Sequence, residues 1–545
     1  NWMWPCRNEG EDVRLYEAVK AASDFACDLG LNIPTGKDSL SMTQKYPDGS
    51  QVVSPGTVII SAIGEVSDIK KIITPALEDI PGSEIIYVDF SKSKFGLGGS
   101  SFAQTLNFVG GDIPTIDDHE YVKTAFNTLQ KLVEEKLILA GHDVSSGGLI
   151  TTILEMMFPH NYIGIDADLS SIEGEDDLVK ILFSEKPAVV LQIDDDRAKE
   201  ILKEAGIIFH KIGNVTKKNK LILLHNEDKF SFDLFDTRDA WYETSYLFDA
   251  IQSTPEHAMD RFDNYRNQEL VYNFSENFKG SFESLGINPD RKENSGIKAA
   301  IIREKGSNGD RETAYALWLA GFDVKDVHMT DLISGKENLE DVNMIVFVGG
   351  FSNSDVLGSA KGWAGAFLYN PKAKAALDNF YKRDNTLSLG ICNGCQLMIE
   401  LGLIYPQQTI RPKMARNDSG KFESGFYTLD IIPNNSVMLS SLEGSRLGVW
   451  VSHGEGKFAL PYAESDYNIP AKYSYSGYPG NPNGSPFNTA ALTSHNGRHL
   501  AIMPHPERAI FTWQWAYIDS DKRNWQVTPW MEAFINAFHW VEKRK

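Results

Sequence analysis

The region from residue 297 onward predicts an α/β fold built on a doubly wound parallel sheet, and two observations carry that reading. The first is alternation. Apolar runs at Ile297–Ile302, Phe322–His328 and Met344–Val348 are separated by helix-forming stretches such as Arg311–Ala320, where Ala314, Leu317 and Trp318 mark the buried face. Near-continuous apolar strands joined by helices belong to parallel sheets covered on both faces. The second is Leu387–Glu400, LSLGICNGCQLMIE. Leu387, Leu389 and Ile391 read as a buried strand, Gly390 and Gly394 bracket Cys392, and Cys395–Leu401 continues as a helix. Strand, glycine-flanked turn and helix make a nucleophile elbow. Glycines let the backbone turn sharply, and a helix N-terminus favours a thiolate over a thiol.

Other readings of Cys392 stand beside the elbow. A buried cysteine acts as a small hydrophobe. Cys392 and Cys395 also form C-x-x-C, which fits a redox pair or half of a metal site. No second C-x-x-C accompanies it, which disfavours zinc.

A length of 545 residues exceeds what one hydrophobic core serves and predicts about three or four domains. The net charge of −21 argues against nucleic acid or an anionic membrane as main partner. No apolar run reaches the roughly 20 residues of a membrane span. Four cysteines are too few for a disulfide framework and point to a reducing cytoplasm. The opening Asn1-Trp2-Met3-Trp4-Pro5 is neither a signal peptide nor an initiation site, so a piece of a longer chain is expected.

Residues 1–236 form a first block. Val13–Leu29 predicts a helix with Leu15, Ala18, Val19, Ala22 and Ala26 on one face. Val52–Val66 reads as a strand pair around Pro55-Gly56. The strand Ile85–Asp89 leads into Ser91–Ser100, a glycine-rich loop that suits a phosphate cradle or a plain flexible connection. Gly141–Leu149 sets Asp143, Ser145 and two glycines before a helix, a pattern that serves a magnesium phosphate site or an N-cap. Strands at Val189–Ile193, Ile207–Asn214 and Leu221–Leu224 and a helix at Asp194–Ala205 follow. Residues 237–296, rich in Tyr, Phe, Asn and acids, predict a linker that packs on its neighbours, its acidic run a solvated face.

A cysteine nucleophile needs a base, and the base an orienting group. Pro504-His505-Pro506-Glu507-Arg508 supplies both: in a proline-locked extended segment, His505 and Glu507 share a face. The backbone N–H of Asn393 and one from the Gly349-Gly350 loop, Gly350, are the expected oxyanion donors. His453, in Ser452-His453-Gly454-Glu455-Gly456, is the rival base and suits a pocket wall better.

Together, G-I-C-N-G-C-Q at 390–396 and P-H-P-E-R at 504–508 closely resemble the class I (triad) glutamine amidotransferases over residues 297–545. Gly349–Ser352, Asp355–Gly358, Val451–Gly456 and Asn481–Pro486 resemble the large phosphoribosylformylglycinamidine synthase family. Gly36–Met42 and His142–Leu149 resemble that family's second synthetase half, of the aminoimidazole-ribonucleotide-synthetase type.

The resemblance implies an α+β synthetase-type half at 1–236, incomplete at its start, a linker at 237–296 and a glutaminase domain at 297–545. It implies glutamine and formylglycinamide ribonucleotide as substrates, ATP and Mg²⁺ as cofactors, and an upstream synthetase half as partner. By position, Asp143 resembles a magnesium ligand and Ser145 a nucleotide or substrate contact. Gln396, Arg416, Asn417, Ser452, His453 and Glu455 resemble glutamine-pocket residues. Ser146 stands where the family commonly has an acid. Two other readings remain: a stand-alone cysteine hydrolase such as a peptidase, which leaves the first block unexplained, and a non-enzymatic scaffold, which gives no reason for the proline-locked pair.

Overall fold

One mixed sheet organises the second part of the chain. The computed structural model describes residues 1–80 and 82–544 and divides into two units, Asn1–Trp241 and Tyr242–Lys545. The nine strands of the second sheet are β1 (Lys298–Arg303), β2 (Asp323–His328), β3 (Met344–Phe347), β4 (Leu387–Ile391), β5 (Glu423–Ile431), β6 (Arg446–His453), β7 (Asn468–Tyr473), β8 (Thr489–Thr493) and β9 (His499–Ile502). Their spatial order is β2-β1-β3-β4-β9-β8-β7-β5-β6. The run from β2 to β9 is parallel. It is the doubly wound sheet that the alternation predicts, and β3 and β4 are buried at every position.

From β9 outward every pairing is antiparallel. That half is not evident from the apolar runs. β5 and β6 mix buried with partly exposed residues, a weaker pattern than the continuous strands of the parallel half.

The helices used below are α1 (Leu234–Gln252), α2 (Pro255–Asn264), α3 (Asp310–Ala320) and α4 (Asn393–Glu400). α3 buries Thr313, Ala316, Leu317, Leu319 and Ala320. Ala314 and Trp318, expected at its centre, only flank the core. α2 begins after Thr254, whose hydroxyl caps the His257 N–H, and has Pro255 in its first turn, where a missing N–H does no harm. Asp249 and Arg261 on these helices are largely buried and ion-paired, so the acidic run is not a uniformly solvated face.

The first unit carries a seven-stranded sheet in the order Asp228–Asp233, Lys220–His225, Gly164–Asp168, Phe209–Thr216, Glu84–Asp89, Ala188–Ile193, Ala140–Asp143. Ile85 and Tyr87 of one central strand face a core with helix Gly148–Met157. Ile86 and Val88 face a second core with helices His119–Glu134 and Asp196–Glu204. The helix near the start forms over Glu11–Leu29, but Ala26 is its one buried residue. The strand pair expected across Val52–Val66 does not form: Gln51–Val53 pairs with Thr43–Lys45 and Thr57–Val58 with Trp2–Met3. Among the described residues no helix is long and apolar enough to cross a membrane.

At the elbow the glycines do a different job from the one expected. Neither Gly390 nor Gly394 has a positive φ; that conformation falls on Cys392 itself, at φ 50° and ψ −106°. The glycines allow close packing instead. A Cβ on Gly394 would lie 1.9 Å from the Phe347 carbonyl oxygen, and one on Gly390 would lie 2.5 Å from the Gly394 oxygen. Gly394→Ala must push α4 off β3. It is expected to destabilise this unit by about 2–3 kcal/mol, read as a lowered thermal unfolding midpoint.

Candidate active site

Three neighbouring parallel strands end at one place, the carboxyl edge where ligands bind in open α/β sheets. β3 leads to Gly349-Gly350, β4 to Cys392 and β9 to His505. The Cys392 N–H donates to the Ile502 carbonyl (2.9 Å) and the His505 N–H to the Trp450 carbonyl (2.9 Å), which anchors both segments. His505 Nδ1 lies 2.7 Å from Glu507 Oε1, with both side chains buried. The shared face does not come from an extended backbone, as expected from the prolines. Pro506–Arg508 forms a single 3₁₀ turn that folds Glu507 back onto the imidazole.

The Cys392 side chain also acts electrostatically on the His505 ring, and its Sγ lies 3.6 Å from the Ser452 carbonyl oxygen. Burial opposes charge on this imidazole, but the Glu507 carboxylate and Cys392 outweigh it and raise its pKa to about 10. His453 shows the opposite balance. Its ring is buried, its Nδ1 has no hydrogen-bond partner, and desolvation lowers its pKa to about 3. It is held neutral in the pocket wall. Cys395 lies wholly buried one helical turn below the elbow, where burial pushes its thiol well up. Both cysteines are free.

The Asn393 N–H opens α4 and has no carbonyl one turn back to bond. Gly350 pairs with Ser307 in a short antiparallel ladder, and the adjacent Phe351 N–H donates to Gly306 O. Antiparallel ladders alternate bonded and non-bonded pairs, so the Gly350 N–H points away from the ladder. Gly350 and Cys392 border the same pocket, of about 270 Å³.

Gln396, Arg416, Ser452, His453 and Glu455 line this pocket, as the resemblance implied. Asn417 does not. It is buried behind the wall, donating to the carbonyls of Lys421 (3.1 Å) and His453 (2.8 Å) and accepting from the Gly456 N–H (3.0 Å). Asp355, Ser359 and Lys421, which the resemblance does not single out, also line the pocket. Ser359 donates its backbone N–H (3.0 Å) and its hydroxyl to Glu455, and these bonds lower the Glu455 pKa. Asp355 keeps one buried carboxylate oxygen without a partner, and burial together with the nearby Glu455 charge raises its pKa. Asp355 opens the Asp-Val-Leu-Gly motif, and an acid inside that motif is the signal in the sequence that points to it.

In the first unit, the Asp143 carboxylate is 72% exposed and lies 3.3 Å from His142 Nδ1. Ser145 is exposed. Among the described residues no group of three or more His, Cys, Asp or Glu is placed to hold a metal ion. The residues present do not make up a magnesium site by themselves. The glycine-rich loop is not an open phosphate cradle either. The N–H groups of Gly98 and Gly99 bond to the carbonyls of Asp112 and Val109 beyond the next helix, that of Ser100 bonds to Leu97 O, and the Ser101 N–H donates to Glu185. His495 and His499 have an H-x-x-x-H spacing. His499 is buried against the Ser388 hydroxyl (2.9 Å), with its pKa lowered to about 3 by burial.

A buried Cys–His–Glu set thus lies at the carboxyl edge of the doubly wound sheet, beside a small polar pocket. Residues 296–541 match the model of the CobB/CobQ-like glutamine amidotransferase domain. Residues 1–65 match the FGAR-AT PurM_N-like domain and residues 81–226 the C-terminal domain of AIR synthase related proteins. Along nearly its whole length the chain is similar to phosphoribosylformylglycinamidine synthases. It is 39% identical to the probable chloroplastic/mitochondrial enzyme of Arabidopsis thaliana, over 99% of this chain and 40% of that one. It is 38% identical to that of Dictyostelium discoideum, over 98% and 43%, and 36% identical to that of Homo sapiens, over 99% and 42%. The chain thus spans about two fifths of the length of these curated relatives.

Glu507→Gln keeps the shape of the orienting group and removes its charge. Glutamate release from glutamine is expected to fall on the order of 10³–10⁴-fold. The same change bears on stability. The His505 pKa is raised on folding from 6.5 to about 10, so the contribution of the charged pair is complete below about 6.5 and is lost as pH climbs through about 10. Wild type should therefore exceed the variant in melting temperature most at low pH, the gap closing toward alkaline pH.

Proposed function

We propose that this chain hydrolyses glutamine and that the ammonia serves an ATP-dependent amidation of formylglycinamide ribonucleotide. The observation that carries the first part is the buried Cys392–His505–Glu507 set at the ends of adjacent strands. Cys392 gives its proton to His505 and attacks the side-chain amide carbon. The Asn393 and Gly350 N–H groups stabilise the oxyanion. His505 gives its proton to the departing nitrogen, ammonia leaves, and a γ-glutamyl thioester remains. His505 then takes a proton from water, which attacks the thioester; glutamate leaves and the thiolate returns. Glu507 holds the ring and its charge throughout.

Asp355 and Glu455 lie where two carboxylates can receive the α-ammonium group, with Arg416 beside them for the α-carboxylate. His453, kept neutral by burial, adds no charge that would compete with His505.

The second part rests on the relatives' name and on the synthetase-type domains matched in residues 1–226. ATP and formylglycinamide ribonucleotide are its substrates, and Asp143 and Ser145 are this chain's contributions to a site that further residues of a larger protein complete. Mg²⁺ would bind ATP phosphates beside Asp143. The four free cysteines favour a reducing compartment, the cytoplasm.

The test is labelling by a glutamine-analogue electrophile together with an assay of glutamate release. The label should sit on Cys392 and glutamine should protect against it. Cys392→Ala should lower turnover on the order of 10⁴-fold or more, while Cys395→Ala keeps substantial activity. Peptide hydrolysis without glutamine protection would instead make the chain a peptidase-type hydrolase. Equal loss from both cysteine variants would restore the redox reading.

A further inference from the structure

We propose that Asp249 and Arg261 of the connecting helices are positioning residues of the glutamine pocket, holding in place its Gly420–Glu423 wall. This rests on the glutaminase reading given above. Gly420, Lys421 and Phe422 line the pocket that contains Cys392. Glu423 follows them as the first residue of β5, in register with His453 at the end of β6.

The Glu423 carboxylate is 2% exposed and takes three donors: the Ser419 hydroxyl (2.5 Å), the Tyr478 hydroxyl (2.9 Å) and Arg261 Nη2 (3.0 Å). Arg261 Nε lies 3.2 Å from Asp249 Oδ2. Asp249 Oδ1 in turn accepts from the Lys421 ammonium and from Ser253 Oγ (3.1 Å). The charges Lys421, Asp249, Arg261 and Glu423 alternate in sign. They close a loop whose first and last members flank Phe422 and whose middle two come from α1 and α2. α2 is itself fixed against the far side of the wall: Asn264 Nδ2 donates to the Tyr478 carbonyl (2.6 Å), and the Arg261 guanidinium lies over the Tyr478 ring, 4.9 Å from its centroid.

Charged partners give direction as well as adhesion. Apolar packing would let Lys421 swing, whereas an ion pair to a largely buried Asp249 fixes where its stem and the Phe422 ring lie. None of the four charges contacts the Cys392 sulfur, so the effect falls on how glutamine is seated and not on the bond-making step.

Asp249→Asn keeps the shape and leaves the Arg261–Glu423 pair intact. It is expected to raise the KM for glutamine about tenfold with a much smaller change in kcat. Labelling by the glutamine-analogue electrophile should slow by the same factor, while alkylation of Cys392 by iodoacetamide, which needs no seating, keeps its wild-type rate. Arg261→Met should exceed that effect and Arg261→Lys should recover part of it; if Arg261→Met does not fold, the Asn and Lys variants carry the test. A wild-type KM in Asp249→Asn would overturn the inference, as would equal slowing by both reagents, the mark of general damage. Failure of glutamine to protect the wild-type protein would instead remove the glutaminase reading beneath it.

Discussion

The second unit depends on how closely β4 and α4 approach their neighbours. Gly394 backs onto the Phe347 carbonyl and Gly390 onto the first turn of α4, so helix, nucleophile strand and β3 meet almost backbone to backbone. That approach leaves the reversal of direction to Cys392, which takes a positive φ that non-glycine residues rarely adopt. Strain at this residue is sustained because everything around it is buried and parallel. It lifts the sulfur to the level at which β9 delivers His505. A looser elbow would satisfy the strand and the helix and still miss the base.

Around that point the site sorts two imidazoles by environment. His505 and His453 are both buried, and desolvation acts against charge on each. Glu507 and the Cys392 sulfur reverse the outcome for one, and nothing reverses it for the other. The site thereby holds one charged ring and one neutral ring from the same residue type. A similar contrast separates the pocket acids. Glu455 is lowered by bonds from Ser359, whereas Asp355, without such donors, is raised.

What the sequence made legible follows from how strongly each feature is written locally. The parallel strands, the elbow and the His505–Glu507 pair stand in short contiguous motifs, and the structure brings those residues together. The geometry behind them was less legible. A 3₁₀ turn and an extended segment both place His505 and Glu507 on one side, and glycines in a turn motif do not reveal whether they supply φ or space. The antiparallel strands β5 and β6 carry a weaker pattern because several of their positions are only partly covered. Asn417 was misplaced because position within a motif does not say whether a side chain points into a pocket or behind it. The pairing of Asp249 and Arg261 with Lys421 and Glu423 bridges more than 150 residues of sequence, which no local pattern records.

The position of β9 has a consequence for the order of assembly. It is the last of the nine strands in sequence and lies in the middle of the sheet, between β4 and β8. While the chain is being synthesised, β4 must wait with an unpaired edge until residues 499–502 emerge, and β8 waits likewise. Exposed strand edges are liable to pair wrongly, so this interval is the vulnerable stage of folding and the one at which a chaperone would matter most. The same order acts as a safeguard. A nascent chain carries Cys392 for more than a hundred residues before His505, its proposed base, emerges.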